Sequence, residues 1–244
     1  MPANNLLELS YIIPVYLENS SSPDLDKLLQ RYGNYPRELT DKIQFILVDD
    51  CSPVEPVIPA SHLNILLVRI NENIPWNQGG ARNLGVMLSK TAKLLLTDLD
   101  HSFSAGLLEK LLHSSLPNHL YKFKRRREGV KVRSHPNTFF CSKAVFYKAL
   151  GYDEDFSGHY GYDDVFYVEL QKALGTKLRY FSWSSYVDHL EHQTENKDDL
   201  QHFLVRDTSY NKALLDEKLS IIKAGKPFKA HSRRMLDFTY SIRK

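Results

Sequence analysis

Four apolar segments do most to constrain what this chain can fold into, because they are apolar along their length and do not alternate with polar residues. They are Leu9–Tyr16, Ile43–Asp50, Leu63–Ile70 and Leu94–Asp100. Strands with one solvated face alternate, whereas strands of a parallel sheet covered on both faces are apolar throughout. Helical patterns lie between the segments, so we predict an α/β fold with a mostly parallel central sheet.

The rest of the chain predicts helices and short strands around this sheet. Helix signals lie at about 22–33, 77–90, 104–116, 142–150 and 165–174, with a strand signal at 178–183. A hairpin is predicted where Leu120–Arg127 and Val130–Arg133 flank Glu128 and Gly129. From Asp198 the chain is mostly helical and more polar, and it ends in a basic, partly aromatic tail at 233–244.

Composition argues against several classes of protein. A chain of 244 residues with 42% hydrophobic and 25% charged residues is typical of a globular protein. A net charge of +3 is too small for a protein that binds a nucleic-acid backbone, so we expect no nucleic-acid partner. Cys51 and Cys141 have no spacing that favours pairing, and no apolar run approaches the ~20 residues of a membrane span. With no signal-peptide pattern, a cytoplasmic location is expected.

Acidic residues follow the second and fourth apolar segments. Asp49 and Asp50 end one, and Asp98 and Asp100 end the other, at the sheet edge where ligands bind in open α/β folds. On an extended segment, residues i and i+2 point to the same side, so Asp98 and Asp100 can face one divalent cation, with His101 pointing away. The alternative is a solvated turn that caps the next helix.

The segment NQGGARNLG opens the third predicted helix. Glycines such as Gly79 at a helix start let the backbone approach a phosphate, and Arg82 adds a bidentate donor. The spacing differs from G-x-G-x-x-G, which disfavours a dinucleotide-binding fold. The alternative is close helix–sheet packing at the glycines, above all at Gly85, with Arg82 on the surface.

Two further segments carry candidate chemistry. Asp163 and Asp164 begin a helix after a Gly-rich loop, where they could serve as helix-dipole partners or supply a general base. His189 and His192 follow downstream, and a neutral imidazole is a common metal ligand, although a lone histidine is more often structural.

Taken in order, these segments resemble a GT-A fold glycosyltransferase, most similar to the inverting glycosyltransferase family 2. The resemblance spans about residues 9–192. The matching segments are IIPVY (12–16), ILVDDCSP (46–53), NQGGARNLG (77–85), TDLD (97–100, resembling the DxD motif), GYDDV (161–165) and the pair Val187 and His189. The chain departs from the family at Leu17, where Asn is usual, and at Asp163, where Glu is usual.

The resemblance implies a GT-A, Rossmann-like fold with a mostly parallel central sheet flanked by helices and a C-terminal helical appendage. The transferase domain would span 1–195, with a nucleotide-binding half to about 101 and an acceptor half at about 102–195, and a helical extension would span 196–244. The implied reaction is metal-dependent, inverting transfer of a sugar from a nucleotide-diphospho-sugar, with UDP-sugar favoured, to a hydroxyl of a glycan or other acceptor.

The resemblance also implies residue roles. Nucleotide-binding residues would be Pro14, Tyr16, Asp49, Asp50, Gly79, Arg82 and Asp98. Ligands of a Mn²⁺ or Mg²⁺ ion would be Asp100, Asp98 and His189. Catalytic residues would be Asp164 as the base and Asp163, whose shortening from Glu affects acceptor positioning.

Two other functions remain open at this stage. A sugar nucleotidyltransferase would carry a Gly-rich, basic signature after the first strand, and the segment PVYLENSS there has no glycine. A catalytically silent nucleotide- or glycan-binding module on the same fold is disfavoured by the intact acids Asp98, Asp100 and Asp164.

Two basic segments also leave alternatives. Lys122, Lys124 and Arg125–Arg127 could meet a phosphorylated or acidic acceptor, or could form a solvated face, as charge runs usually do. The basic C-terminal tail could touch an anionic membrane that holds a lipid-linked acceptor, which would make the protein peripheral to that membrane, or it could be frayed.

Overall fold

A computed structural model describes residues 6–18, 23–182, 185–190 and 206–243. The strands are β1 (Leu9–Val15), β2 (Ile43–Asp49), β3 (Asn64–Ile70), β4 (Lys93–Leu96), β5 (His101–Ser102), β6 (Leu120–Lys122), β7 (Lys124–Arg127), β8 (Val130–Val132), β9 (Phe139–Ser142), β10 (Leu178–Tyr180), β11 (Tyr186–His189) and β12 (Tyr240–Arg243). The α-helices are α1 (Pro23–Gly33), α2 (Arg37–Thr40), α3 (Gln78–Leu88), α4 (Ala105–His113), α5 (Lys143–Lys148), α6 (Asp163–Ala173) and α7 (Ser209–Lys223).

The central sheet contains eight strands in the order β10-β6-β9-β4-β1-β2-β3-β12. Its middle is parallel, since Ile12 of β1 pairs with Ile46 of β2 on one side and with Leu96 of β4 on the other. Strands β9 and β12 run antiparallel to their neighbours. The predicted α/β class and mostly parallel sheet are therefore confirmed.

Both faces of this sheet are buried, which explains the unbroken apolar segments. Ile12 and Ile46 point to one face, where they join a core with residues of α3, α5, α6 and α7. Tyr11 and Phe45 point to the other face and pack with α1 and α4. Gly85 of α3 allows the close approach on the first face, because a Cβ there would lie 2.5 Å from Cγ2 of Ile12.

The end of β4 differs from the sequence prediction. The strand ends at Leu96 and not at Asp100, and the chain turns so that the His101 amide donates to the Asp98 carbonyl at 3.3 Å. If β4 continued to Asp100, both carboxylates would lie within the buried central sheet, where an unpaired charge is costly. Asp98 and Asp100 are therefore brought together by a turn and not by strand periodicity.

A second, four-stranded sheet in the order β5-β11-β7-β8 lies beside the first. Its β7–β8 hairpin confirms the predicted turn, with Arg127 opposite Val130 and both Glu128 and Gly129 at positive φ. The sequence reading missed β5, β9, β11 and β12, because segments of two to four residues are too short to show a period.

The C-terminal part is only partly the predicted helical extension. Helix α7 packs on α6, but the final residues form β12, which pairs Tyr240 with Ile70 and Arg243 with Leu67 of β3. An unpaired edge strand presents open backbone donors and acceptors, and β12 satisfies those of β3. The basic tail is thus an edge strand and is not frayed. The proposed boundary at residue 195 lies outside the described residues.

No helix among the described residues has both the length and the apolar character needed to cross a membrane.

Candidate functional site

The candidate residues meet where β1, β2 and β4 end, beside the first turns of α3 and α6. Parallel strands bring their carboxyl ends to one edge of the sheet, so residues far apart in sequence converge there. The second sheet closes this edge from the side of β5 and β11. The site combines a group around Asp98 and Asp100, an acid pair on α6, and a corner after β1 and β2 that contains Asp49 and Asp50.

Arg82 forms an ion pair with Asp98. The Arg82 side chain is fully buried, and its Nη2 donates to Oδ1 of Asp98, which also accepts from Nε2 of Gln78 at 2.9 Å. Its guanidinium carbon lies 5.3 Å from the ring centroid of Tyr152. Arg82 is therefore not a surface residue, and its donor contact goes to Asp98.

Asp100 is hydrogen-bonded to His101, which was expected to point away from it. Nδ1 of His101 lies 2.5 Å from Oδ1 of Asp100, and Nε2 of the same ring lies 3.3 Å from Nη1 of Arg125. An arginine can only donate, so Nε2 accepts and Nδ1 carries the proton that is donated to Asp100. The expectation that His101 points away was wrong, because the chain turns after Leu96 instead of continuing as a strand.

Two other histidines complete the group. Nε2 of His135 lies 3.4 Å from Oδ2 of Asp98, and Nδ1 of His189 lies 3.5 Å from Oδ2 of Asp100. The ring of His101 packs between them, with centroids 4.3 Å from His135 and 5.2 Å from His189. His135 was missed, since it sits in the loop before β9 with no motif around it.

This donor set fits a divalent cation. The ligand atoms of Asp98, Asp100 and His135 all lie within 4.8 Å of one another, as do those of Asp100, His101 and His189. Burial lowers the pKa of His135 to about 3 and also lowers that of His189, so both rings are neutral, as metal ligation requires. Burial alone would raise the pKa of Asp100, but the His101 hydrogen bond and neighbouring histidines lower it to about 2.

Asp163 and Asp164 form the first turn of α6, after Tyr162 at φ +67°. Burial, assisted by the neighbouring Asp164, raises the pKa of Asp163 to about 6, and burial also raises the pKa of Asp164. A Cβ on Gly79 of α3 would lie 3.1 Å from Cβ of Tyr152 and 3.6 Å from Oδ2 of Asp163. Gly79 therefore sits in a packed contact between α3, Tyr152 and Asp163.

The remaining candidates lie together at the ends of β1 and β2. Pro14 is buried in β1, and Tyr16 follows that strand half-buried. Asp49 is 1% exposed, accepts from the Ser52 amide at 2.9 Å and forms an ion pair with Arg69.

Asp50 has no such cationic partner among the described residues. Its Oδ1 accepts from Nδ2 of Asn77 at 3.2 Å, and burial raises the pKa of its carboxyl to about 7. Asp50 can thus exist as a neutral acid near physiological pH.

Asp50→Asn should stabilise the protein in a pH-dependent way. The folded-state pKa lies above the usual value of about 4, so the carboxyl opposes folding progressively as pH rises from about 4 to about 7. We expect the variant to raise the free energy of unfolding by on the order of 2 kcal/mol at pH 8, a gain that shrinks as the pH falls to 5. Urea unfolding at several pH values measures this.

The control for that experiment is Asp216→Asn, since Asp216 is a mostly exposed partner of Lys212. It should change stability by less than about 0.5 kcal/mol at any pH. A gain for Asp50→Asn that does not vary with pH would contradict the assigned ionisation.

Trp76 packs on Tyr160 with ring centroids 4.7 Å apart, which places it against the loop that precedes α6. His192 lies outside the described residues.

A sequence profile of the family described as Glycosyl transferase family 2 matches residues 10–156, more than half of the chain. That match includes the strands β1 to β4, the Gly-rich start of α3 and the turn with Asp98 and Asp100. No match is found among curated proteins.

Several solved structures share the fold at low sequence identity. S. aureus TarS 1–349 in complex with UDP-GlcNAc superposes with a TM-score of 0.62 at 14% identity, covering 92% of this chain and 68% of that chain. The mannosyltransferase PcManGT from Pyrobaculum calidifontis, in complex with GDP-Man and Mn²⁺, gives 0.55 at 14% identity, covering 93% and 66%. GalNAc-T7 with UDP, GalNAc and Mn²⁺ gives 0.54 at 15% identity, covering 91% and 50%.

These neighbours are longer proteins. A match to S. aureus TarS with a TM-score of 0.56 covers 76% of this chain but only 37% of that chain, so this chain spans about a third of its length.

Proposed function

The chain belongs to glycosyl transferase family 2, and from that premise we propose that it transfers a sugar, with inversion, from a nucleotide-diphospho-sugar to an acceptor hydroxyl in a metal-dependent reaction. One observation carries this proposal. Asp98, which shares a group of candidate metal ligands with Asp100, lies close to the buried Arg82, as do Asp163 and Asp164, whose pKa values burial raises. A cation-binding group and a candidate base thus share one site.

Asp100, Asp98 and His189 would hold the metal, and His135, whose ligand atom lies within 4.8 Å of those of Asp98 and Asp100, would add a further donor. When bound, a divalent cation would neutralise the diphosphate and stabilise it as a leaving group. Two imidazoles beside two carboxylates favour a transition metal over Mg²⁺, which prefers oxygen ligands. We therefore favour Mn²⁺, the ion named with the sugar nucleotide in the PcManGT and GalNAc-T7 structures.

The chain's own residues prepare this group. His101 donates to Asp100 and leaves its second oxygen available, while Arg82 and Gln78 fix Asp98. Buried second-layer contacts of this kind orient ligands and tune their basicity. We assign His101 as a positioning residue for Asp100, because both of its ring nitrogens already have partners.

Asp164 is the candidate general base. A base works best when its pKa lies near the working pH, and burial raises the pKa of Asp164 from that of an ordinary Asp. Its carboxylate would take the proton of the acceptor hydroxyl as that oxygen attacks the anomeric carbon from the face opposite the diphosphate. Asp163 would help to place the acceptor.

The donor nucleotide would occupy the corner after β1 and β2. Because Asp49 is already paired with Arg69, Asp50 and Tyr16 are the better candidates for direct contact with the base and ribose. Pro14 and Gly79 would shape the corner. The UDP preference is supported by the UDP or UDP-GlcNAc named in two of the structural neighbours.

A panel of UDP-, GDP- and TDP-sugars tests the proposed function. We expect nucleotide release from a UDP-sugar with Mn²⁺, at least about tenfold slower with Mg²⁺ and absent with EDTA. Binding of UDP without any turnover would support the silent binding module. If no nucleotide sugar binds and none is turned over, the transferase proposal fails.

A further inference from the structure

The β7–β8 hairpin is a strongly basic segment beside the candidate site. Residues 122–133 contain seven Lys and Arg residues and a single acid, Glu128. The whole chain has a formal net charge of only +3, so the remainder of the chain is net negative. The basic hairpin is therefore a local feature and does not reflect general basicity.

Cations on one face of the hairpin gather around a single aromatic ring. The guanidinium carbon of Arg126 lies 3.9 Å from the ring centroid of Tyr186 on β11, with Nζ of Lys124 at 5.6 Å and Nζ of Lys131 at 5.7 Å. Arg126 and Lys131 are directly opposite each other across the strands. Like charges in that position destabilise a sheet, so an anion bound between them would relieve their repulsion.

The other face of β7 leads into the candidate site. Arg125 donates to Nε2 of His101 at 3.3 Å and to the Arg133 carbonyl at 3.0 Å. Strand β7 also pairs with β11, whose last residue is His189. Because neighbouring residues of a strand point to opposite faces, Arg126 and Lys131 lie on the face away from Arg125. An extended molecule bound to them would therefore pass around the edge strand β8 to reach Asp100.

We propose that the β7–β8 hairpin and Tyr186 bind the phosphate groups of an anionic, phosphate-bearing acceptor. This inference rests on the proposed transferase function, whose acceptor class it names. Arginine forks match phosphate oxygens, and several cations within reach of one another fit repeated phosphates better than a single carboxylate. Tyr186 offers a flat surface among these cations for the carbon skeleton between phosphates.

An anionic membrane surface is the competing occupant. Basic residues lie on both faces of the hairpin, Arg126 on one and Arg125 on the other, which fits an extended polyanion that passes around β8 better than a flat membrane surface.

Polyphosphate binding tests the inference without a donor sugar. The full chain is titrated with short-chain inorganic polyphosphate in excess UDP and EDTA, so that the probe cannot occupy the donor corner or bind through a metal. We expect binding that weakens steeply between 50 and 200 mM NaCl, as for other polyanions. The double variant Arg126→Gln/Lys131→Gln should bind at least about tenfold more weakly and with a shallower salt slope.

The matched control removes the same charge elsewhere. Lys223 and Lys226 are exposed at the end of α7, and Lys223→Gln/Lys226→Gln should bind polyphosphate like the wild type. Equal loss in both double variants would mean only non-specific charge attraction and would overturn the proposal.

The remaining outcomes are also decisive. Absence of wild-type polyphosphate binding overturns the inference, and so does hairpin-dependent binding to vesicles containing phosphatidylserine without polyphosphate binding, which assigns the surface to a membrane. Nucleotide release from the donor panel is measured separately. A failure there rejects the transferase, whereas a failure of polyphosphate binding rejects only the acceptor class.

Discussion

Asp164→Asn is expected to lower kcat for sugar transfer by about 10²- to 10⁴-fold, the contribution of a well-placed general base. The amide keeps the size of the side chain but cannot accept the acceptor's proton. Because the proposed donor corner lies at the ends of β1 and β2, UDP affinity should change by less than about threefold. Single-turnover transfer and UDP titration measure the two effects separately.

The pH dependence sharpens this prediction. Burial raises the pKa of Asp164, so wild-type activity should fall on the acid side of that pKa as the base becomes protonated. The remaining transfer activity of Asp164→Asn should not show this fall at acid pH.

A matched control for Asp164 lies on the same helix. Glu169 is partly exposed and pairs with Lys172 at 2.6 Å, so Glu169→Gln removes one α6 carboxylate outside the site. Its kcat should match that of the wild type. Equal losses of transfer and UDP binding in Asp164→Asn would reassign Asp164 to donor binding.

Asp100→Asn is expected to remove most of the metal dependence. Asp100 belongs to both groups of candidate ligand residues, so a cation held by either group would contact its carboxylate. We expect Mn²⁺ to bind at least about 100-fold more weakly, since losing a ligand charge costs several kcal/mol. Calorimetric titration of Mn²⁺ in the presence of UDP measures this without relying on turnover.

Two comparisons make the Asp100 result specific. Asp188 lies one residue before His189 and is half exposed, so Asp188→Asn should leave Mn²⁺ affinity unchanged. His135→Ala and His189→Ala should each weaken Mn²⁺ more than Mg²⁺, because an imidazole contributes more to a transition metal. Unchanged Mn²⁺ affinity in Asp100→Asn would place the cation elsewhere.

The group around Asp100 illustrates where sequence reasoning succeeded and where it could not. Asp98 and Asp100 were found because two acids at the end of an apolar strand are a local pattern. Their convergence was predicted for the wrong reason, since a turn and not an extended strand brings them together. His135 could not be found, because only the antiparallel pairing of β9 with β4 carries its loop to Asp98.

Arg82 shows a second limit. The sequence placed a phosphate-type donor at a helix start, and the helix is there. Whether its guanidinium faces solvent or the interior depends on Tyr152 and Asp98, which come from distant parts of the chain. Local sequence contains no information about that choice.

The sequence by itself determined the α/β class, the buried parallel strands and the acids at their ends, because strand burial and helix capping are encoded in periodicity and residue type over a few neighbours. Only the tertiary structure decided which of those acids have a cationic partner and which histidines approach Asp100. It also decided that the last residues of the basic tail pair with β3 as the edge strand β12. Those outcomes depend on packing between segments far apart in the chain, where a partner's identity and distance set each charge's environment.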